Sequence, residues 1–226
     1  MTQNTDICSM YIVIAAATSL EVQPFVDKLA KGEIPLKNHK VEVLITGVGI
    51  LASTFAITSS CHKKPDFIIQ AGIAGTFNPT YPPGTITLVK EEASGDCGVT
   101  EKGVFKDIFD LQFADPDKPP FTNKKMVNPN IDKWQHLGIP FATGLTVNQI
   151  STDQGRIQQL KEKYNCDIES MEGASLHYAC LNSGTDFLQI RAISNNIGIR
   201  DKKEWKIKEA VTILNDTLFQ IIQTLP

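Results

Sequence analysis

The segment Phe67–Phe77, FIIQAGIAGTF, joins a continuous apolar run to a glycine-rich stretch. Phe67–Gln70 lacks the polar–apolar alternation of a half-exposed strand, so it predicts a strand covered on both faces. The following QAGIAGTF, residues 70–77, predicts a small-residue turn whose backbone N–H groups a ligand can approach. A purely structural strand-to-helix turn explains these residues equally well. Because α/β sheets bind ligands where their strands end, this turn is a candidate site.

Strands and helices alternate along the rest of the chain. Further strands are predicted at Tyr11–Ala16, Val41–Thr46, Thr85–Val89 and Phe187–Ile193. Helices are predicted at Leu20–Ala30, Ile50–Cys61, Thr152–Lys163, Gly173–Asn182 and Lys208–Thr224. The pattern indicates an α/β fold with a mostly parallel or mixed sheet, in a single domain over residues 1–226. The stretch Phe109–Asp132, rich in Pro, Asp, Lys and Asn, predicts a long surface excursion.

Composition excludes several classes of partner. The 226 residues are 42% hydrophobic and 21% charged, with a net charge of −3, so no nucleic-acid partner is expected. No apolar run reaches the ~20 residues that span a bilayer, and YIVIAAA, residues 11–17, is short enough to be a buried strand. The five cysteines and four histidines do not cluster, so we expect no metal, no cofactor and a reduced, cytoplasmic location.

Two further loops carry glycines or acids. TGVGIL, residues 46–51, fits neither GxGxxG nor a Walker A loop, and neither glycine turn has an adjacent Lys or Arg. The loop after the first strand offers a carboxylate, Glu21, instead. Glycine turns with acids and few cations suit a neutral polyol and water better than inorganic phosphate. Alone, Glu21 is explained better as an acid in the first turn of a helix than as a residue of a binding site.

The segment 169–181, ESMEGASLHYACL, places Glu172 near the start of a buried helix. Glu172 can interact with the helix dipole, or it can accept hydrogen bonds from two hydroxyls of a sugar. We expect Glu169 to be solvated, His177 to be packed, and Arg191 to form a buried ion pair. Asn195 in RAISNN, residues 191–196, is either a turn former or a reader of the N7/O6 edge of a 6-oxopurine.

These motifs, in this order, resemble the purine nucleoside phosphorylase and nucleosidase superfamily in its methylthioadenosine nucleosidase-like branch. The segments that carry the resemblance are TSLEV (18–22), TGVGIL, QAGIAGTF, PPGTITLV (82–89), GLTV (144–147), ESMEGAS (169–175) and RAISNN. The form ESMEGA, the SNN that replaces Ser-Asp, and GIRDKKEWKI (198–207) resemble the futalosine hydrolase branch most. The resemblance implies a three-layer α/β/α domain with a twisted mixed sheet, no cofactor, and a homodimer or higher homo-oligomer.

The resemblance also implies residue roles. Glu21 matches the glutamate that activates the attacking water, and Glu172 matches the acceptor of the ribose 2′ and 3′ hydroxyls. Asn195 stands where adenine-specific enzymes carry a general acid. A separate hypothesis, based on their position after the purine loop and not on the resemblance, is that Arg200 and Trp205 close over the futalosine tail, whose carboxylate would attract a cation. The remaining substrate-binding residues implied are Gly72, Ile73, Ala74, Val147, Asn148, Gln149, Ile150, Met171 and Ser194.

The function implied is hydrolysis of the N-glycosidic bond of futalosine, with water as nucleophile, to give hypoxanthine and dehypoxanthine futalosine in menaquinone biosynthesis. Two alternatives stay open. One is an adenine-releasing nucleosidase for methylthioadenosine, S-adenosylhomocysteine or aminofutalosine, which Asn195 disfavours. The other is a non-catalytic purine-nucleoside sensor, which would not require the water-activating Glu21. A phosphorylase is disfavoured because the glycine turns lack cations.

Overall fold

The computed structural model describes residues 9–225, so residues 1–8 and 226 of the predicted domain lie outside the described part. The strands are β1 (Tyr11–Ala16), β2 (Lys40–Ile45), β3 (Phe67–Thr76), β4 (Ile86–Ser94), β5 (Gly98–Glu101), β6 (Val104–Asp107), β7 (Met126–Val127), β8 (Phe141–Thr146), β9 (Ile168–Ser170) and β10 (Asp186–Asn196). The helices are α1 (Ser19–Ala30), α2 (Ile50–Cys61), α3 (Gln154–Tyr164), α4 (Gly173–Ser183) and α5 (Ile207–Thr224), with short 3₁₀ turns at Ile131–Leu137 and Lys202–Glu204.

The central sheet is mixed and partly closed on itself. Its strand order is β10-β4-β8-β9-β3-β1-β2, with β7 on the edge of β4, and β10 also pairs with β3. Strands β1, β2, β3 and β10 are parallel to one another, whereas β4 runs antiparallel to β10 and β9 antiparallel to β3. The long β3 therefore pairs with β10 along one edge and with β1 and then β9 along the other.

Helices cover both faces of the sheet. On one face α1 and α5 pack together over a cluster that includes Phe25, Leu214 and Leu218. On the other face α2 and α4 pack through Ile57 and Leu176. Burying an apolar stripe of each helix against the sheet is the main stabilisation available to such layers. The predicted three-layer α/β/α architecture with a mixed sheet is confirmed.

The five predicted helices are present, with α3 beginning at Gln154 instead of Thr152. TGVGIL is a true turn, because Gly47 and Gly49 adopt φ values of +80° and +89°. The prediction that QAGIAGTF forms a turn is wrong, since β3 continues through it to Thr76. RAISNN likewise lies inside β10. Pairing with neighbouring strands on both edges supplies the hydrogen bonds that keep these small residues extended.

The predicted surface excursion is only partly correct. Met126 pairs with Glu92 of β4, and Met126 and Asn128 are both buried, because this stretch covers the part of the β4 edge that extends beyond β10. Phe113 is 79% exposed, as expected of an excursion. Within residues 9–225 no helix has the length and apolarity needed to cross a bilayer. In the same residues no group of three or more His, Cys, Asp or Glu is placed to hold a metal ion.

Candidate active site

A cavity of about 480 Å³ opens beyond the carboxyl ends of β1, β3 and β10. Parallel strands that end at one edge bring their following loops together there. The residues predicted for the site that line this cavity are Glu21, Ile73, Ala74, Ile150, Met171, Glu172, Ser194, Asn195 and Arg200. The structure thus gathers most of the predicted set around one space.

Glu21 is buried in the first turn of α1 with both carboxylate oxygens engaged. Oε2 accepts from the backbone N–H of Thr18 at 3.0 Å and from its hydroxyl at 3.3 Å, and Oε1 accepts from the N–H of Ile73 at 3.1 Å. Burial raises the pKa of Glu21, while nearby Arg191 and the two backbone N–H groups act in the opposite direction. Glu21 therefore caps the helix and also presents a carboxylate of raised pKa to the cavity.

Glu172 is the N-cap residue of α4, so the prediction that it stands at a helix start is confirmed. Its Oε1 accepts from the N–H of Gly49 at 2.9 Å, and its Oε2 lies 3.9 Å from Nη1 of Arg191. The glycine turn that the sequence suggested for a ligand thus donates one N–H to the protein's own carboxylate. This bond orients Glu172 toward the cavity.

Arg191 forms the buried ion pair that we predicted. Its side chain is 1% exposed, and Nη2 donates to Oε1 of Gln70 at 2.8 Å. Gln70 in turn donates to the backbone carbonyl of Glu172 at 3.2 Å. This chain of contacts supports Glu172 at both its carboxylate and its carbonyl. A distant arginine therefore lies beside the glutamates, although no cation is near them in sequence.

Gly72 does not border the cavity. A Cβ added to Gly72 would lie 2.2 Å from Nη1 of Arg191 and 3.0 Å from Oε1 of Glu21. Glycine is needed here because the Arg191 guanidinium fills the space that a side chain at residue 72 would occupy. That space therefore does not belong to a ligand. Ile73 and Ala74, the next two residues of β3, do line the cavity.

Ser194 and Asn195 reach the cavity at an irregularity of β10. The register of β10 against β3 shifts between Ile193 and Asn195, which aligns Asn195 with Gly75. The Ser194 hydroxyl donates to Oδ1 of Asn195 at 2.8 Å, and Nδ2 of Asn195 donates to the carbonyl of Asn196 at 3.0 Å. The amide is therefore oriented by its neighbours and presents both a donor and an acceptor.

The predicted base-binding segment is brought to the cavity only at its end. Ile150 lines the cavity, but Val147 is buried in an apolar cluster with Leu160. The backbone N–H groups of Asn148 and Gln149 donate to the carboxylate of Asp96 at 2.7 Å and 3.1 Å. Placing Val147, Asn148 and Gln149 at the substrate is therefore not supported by their positions. Asp96 instead holds this loop to the end of β4.

The structure adds two residues that sequence reasoning missed, Ser151 and Glu169. Both line the cavity and both are buried, so the expectation that Glu169 is solvated is wrong. The Ser151 N–H donates to Oε1 of Glu169 at 3.0 Å, and its hydroxyl donates to Oε2. Ser151 thus supplies a hydrogen bond to each carboxylate oxygen of Glu169, which allows the carboxylate to be buried. No local sequence signal marks the pair, because the two residues are 18 positions apart.

Two further expectations concern residues around the site. Cζ of Arg200 lies 5.6 Å from the centroid of the Trp205 ring, and both residues line the cavity together with Lys202.

His177 is packed as expected, with Nδ1 2.9 Å from the carbonyl oxygen of Met126. Burial lowers the pKa of His177 to about 4, so it is neutral at pH 7.

Comparison with known proteins agrees with this architecture. The chain is 29% identical over 201 residues to a futalosine hydrolase of Thermus thermophilus, covering 88% of this chain and 87% of the relative. It is 26% identical over 218 residues to an aminodeoxyfutalosine nucleosidase of Campylobacter jejuni, covering 89% and 92% of the two chains.

Solved structures share the fold at lower identity. A 5′-methylthioadenosine/S-adenosylhomocysteine nucleosidase of Neisseria meningitidis, in complex with methylthio-immucillin-A, superposes with a TM-score of 0.78 at 14% identity. The match covers 96% of this chain and 100% of that one. The family model of the phosphorylase superfamily matches residues 11–225, which is almost the whole chain. This protein therefore belongs to the phosphorylase superfamily.

Proposed function

We propose that this protein hydrolyses the N-glycosidic bond of futalosine to release hypoxanthine. The protein is a nucleosidase, an N-glycosyl hydrolase, as are its curated relatives. The relatives at the highest identities reported above act on futalosine or aminodeoxyfutalosine by name, which supports a nucleoside of this group as substrate. The observation that carries the proposal is the convergence of Glu21, Glu172 and Asn195 on one cavity.

Glu172 is proposed to bind the ribose. An ionised carboxylate accepts hydrogen bonds from two hydroxyls, and the N–H of Gly49 leaves Oε2 and part of Oε1 available for them. N-glycosidic cleavage develops positive charge on the sugar ring. Glu21 and Glu172 with Arg191 carry one excess negative charge beside the cavity when both acids are ionised. That charge stabilises the cationic transition state more than the neutral substrate.

Glu21 is proposed to activate the water. Its carboxylate accepts the proton as water oxygen bonds to C1′, while the electron pair of the N-glycosidic bond leaves with the base. The raised pKa of Glu21 improves its match to a general base near neutral pH. The N–H of Ile73 and the N–H of Thr18 hold the carboxylate, so little reorganisation is needed.

Asn195 is proposed to read a 6-oxopurine. One hydrogen of Nδ2 is donated to the carbonyl of Asn196, and the second can be donated to O6 or N7 of the 6-oxopurine, both of which are acceptors in the nucleoside. An amide has no proton to transfer, so the leaving base is stabilised by hydrogen bonding as negative charge develops on it. Arg200 and Lys202 at the outer cavity supply cations for the carboxylate of the futalosine tail.

Product analysis tests the proposal. Purified protein is incubated with futalosine, aminofutalosine, methylthioadenosine and inosine, each with and without phosphate, and released bases are separated by chromatography. We expect hypoxanthine from futalosine, independent of phosphate. Preferential adenine release would overturn the assignment to Asn195, and phosphate dependence would indicate a phosphorylase. Unchanged futalosine kinetics in Arg200→Ala would remove the role of Arg200, with Lys31→Ala as a control at an exposed cation outside the cavity.

A further inference from the structure

Glu92 is a fully buried acid that lies behind the first turn of α4 and does not line the cavity. A Cβ added to Gly173, the first residue of α4, would overlap Oε1 of Glu92, and so would a Cβ added to Gly144 of β8. Both glycines therefore leave the room that the carboxyl group occupies. Because Gly173 directly follows Glu172, the place of this carboxyl group bears on the proposed ribose acceptor.

A hydroxyl group connects Glu92 to the backbone of α4. The oxygen of the Thr146 hydroxyl accepts from the N–H of Ala174 at 2.7 Å, and the same hydroxyl donates to Oε2 of Glu92 at 3.0 Å. The N–H of Ala174 belongs to the first turn of α4, where backbone donors have no partner within the helix. Glu92 thus supports, through Thr146, the helix turn that begins beside Glu172.

Two acceptors on the other side of Glu92 are unpaired. In the orientation shown, Nε2 of Gln189 donates to Oε1 of Glu92 at 2.8 Å, and the Gln189 side chain also reaches His177. Within residues 9–225, Oε1 of Gln189 and Nε2 of His177 have no hydrogen-bond partner. Since the Met126 carbonyl can only accept, Nδ1 of neutral His177 carries the ring hydrogen, and Nε2 is an acceptor. Buried acceptors are normally paired, so this orientation is incomplete.

A proton on Glu92 completes the network. Turning the Gln189 amide by 180° lets its NH₂ group donate to Nε2 of His177 and brings its carbonyl oxygen to Oε1 of Glu92. That carbonyl is paired only when Oε1 carries a hydrogen, while Oε2 still accepts from Thr146. Ionised Glu92 requires the amide as shown and leaves the two acceptors unpaired. The hydrogen-bonding capacity of these groups therefore favours neutral Glu92.

The charges around Glu92 act in the same direction. The charged or titratable groups near it are Arg191 on β10, Glu172 and His177 on α4, and Cys166 before β9. Burial raises the pKa of Glu92 to about 7, although Arg191 acts in the opposite direction. Among these described residues Arg191 alone is positively charged at pH 7, and it already pairs with Glu172. Ionisation of Glu92 would bring a second carboxylate toward that pair.

We propose that Glu92 is a positioning residue for Glu172 and that it acts as a neutral carboxylic acid. Its proton bonds the carbonyl of Gln189, its other oxygen accepts from Thr146, and Thr146 holds the first turn of α4. Neutral Glu92 leaves Arg191 to Glu172. Ionisation breaks the bond to the Gln189 carbonyl and draws Arg191 away, so Glu172 moves and holds the ribose less well. The inference rests on the proposed role of Glu172 as the ribose acceptor.

Kinetics across pH test the protonation state. In Glu92→Gln the new amide is always neutral, donates to the Gln189 carbonyl in place of the acid proton, and accepts from Thr146. Dividing kcat/KM of the unmodified protein by that of Glu92→Gln removes ionisations that the two proteins share. We expect this ratio to fall about tenfold between about pH 6 and pH 8, as Glu92 loses its proton. The same ratio for Glu91→Gln, on the same strand, should not change with pH.

Thr146→Val gives a second kinetic test. The Thr146 hydroxyl lowers the pKa of Glu92 by donating to it, so its removal should move the fall in kcat/KM to higher pH, by about half a pH unit or more. A role in packing alone would change the rate and leave this midpoint in place. Infrared spectroscopy reports the proton without turnover, since a protonated carboxyl group has its own C=O band. That band should be present at about pH 6 and missing from Glu92→Gln.

Three results would overturn the inference: a ratio that stays constant or rises with pH, an unmoved midpoint in folded Thr146→Val, or no carboxyl band that Glu92→Gln removes. If Glu92→Gln does not fold, the midpoint in Thr146→Val decides. The kinetics use whichever nucleoside the product analysis identifies, and the dissociation constant of inosine replaces kcat/KM if none is cleaved. Cleavage of methylthioadenosine instead of futalosine would therefore remove the proposed function and leave this test in place.

Discussion

Nη1 of Arg191 lies 3.9 Å from Oε2 of Glu172, and both side chains are buried. The same nitrogen lies where a side chain at residue 72 would project. Buried ion pairs often contribute little net stability, because desolvation offsets their attraction. Removing one partner of such a pair is costly, since the remaining charge stays buried without its counter-charge. The pair therefore makes the position of Glu172 sensitive to small changes in β3.

We predict that Gly72→Ala displaces Arg191 and lowers activity. The added methyl would lie 2.2 Å from Nη1, so the guanidinium must move in a packed interior. We expect a decrease of about 1–3 kcal/mol in the free energy of unfolding and a loss in kcat/KM of roughly tenfold or more, given the sensitivity of catalysis to misplaced groups. Denaturation in urea and steady-state kinetics measure the two effects.

Gly155→Ala provides the matched control, since its methyl would meet only Oδ1 of Asp153 at 3.2 Å. This variant should keep stability and activity close to those of the unmodified protein. Full activity in Gly72→Ala would show that Arg191 does not position Glu172.

Glu21→Gln should abolish most turnover while leaving the fold intact. Glutamine keeps an acceptor for the N–H of Ile73 but cannot take a proton from water. General base catalysis contributes about 10²–10⁴-fold, so kcat should fall by that order with a smaller change in KM. Glu33→Gln, an exposed acid after α1, should be unaffected. A Glu21→Gln variant with near-normal kcat would exclude Glu21 as the base.

Asn215→Ala should destabilise α1 and disturb Glu21. The Asn215 amide accepts from the N–H of Phe25 at 2.9 Å and donates to the carbonyl of Glu21 at 2.8 Å, and so bridges groups one helical turn apart. Leaving buried backbone groups unpaired costs about 1–3 kcal/mol. The free energy of unfolding should fall by about 2 kcal/mol and kcat should also decrease. Asn182→Ala, at an exposed residue of α4, serves as control, and an equal effect of the two would contradict the prediction.

Glu92 should make stability depend on pH. It is fully buried, accepts from Gln189 at 2.8 Å and Thr146 at 3.0 Å, and burial raises its pKa to about 7. Because the folded pKa exceeds the unfolded one, the unfolded state loses its proton first as pH rises. The stabilisation is therefore complete below about pH 4.5 and is lost by about pH 7, a change on the order of 3 kcal/mol.

Denaturation curves between pH 4.5 and 7.5 would measure this effect. As pH rises over this range, the free energy of unfolding of Glu92→Gln should fall less than that of the unmodified protein, by a difference on the order of 3 kcal/mol. This comparison does not depend on the absolute stability of the variant. Glu91→Gln, at the preceding residue, removes a carboxylate that pairs with Lys125 and should retain the pH dependence attributed to Glu92. Parallel profiles for the unmodified protein and Glu92→Gln would refute the assignment.

The α/β pattern, the helices and the place of Glu172 at the start of α4 could be predicted from sequence. These features depend on apolar spacing within short segments and on the preference of acids for helix N-termini, both of which are local properties. Asn195 was also identifiable, because it comes shortly after the predicted apolar strand Phe187–Ile193, although β10 extends through it. The resemblance of the ordered motifs to the nucleoside phosphorylase and nucleosidase superfamily then indicated that these residues belong to one site.

Only the tertiary structure decided which distant residues contact the residues of the candidate site. Asn215 bonds the carbonyl of Glu21 from 194 positions away, Arg191 takes the space left by Gly72, and Ser151 satisfies Glu169. QAGIAGTF is a strand because neighbouring strands pair with it, although its composition is that of a turn. Long-range pairing and burial depend on how the sheet closes, which no short segment of sequence encodes.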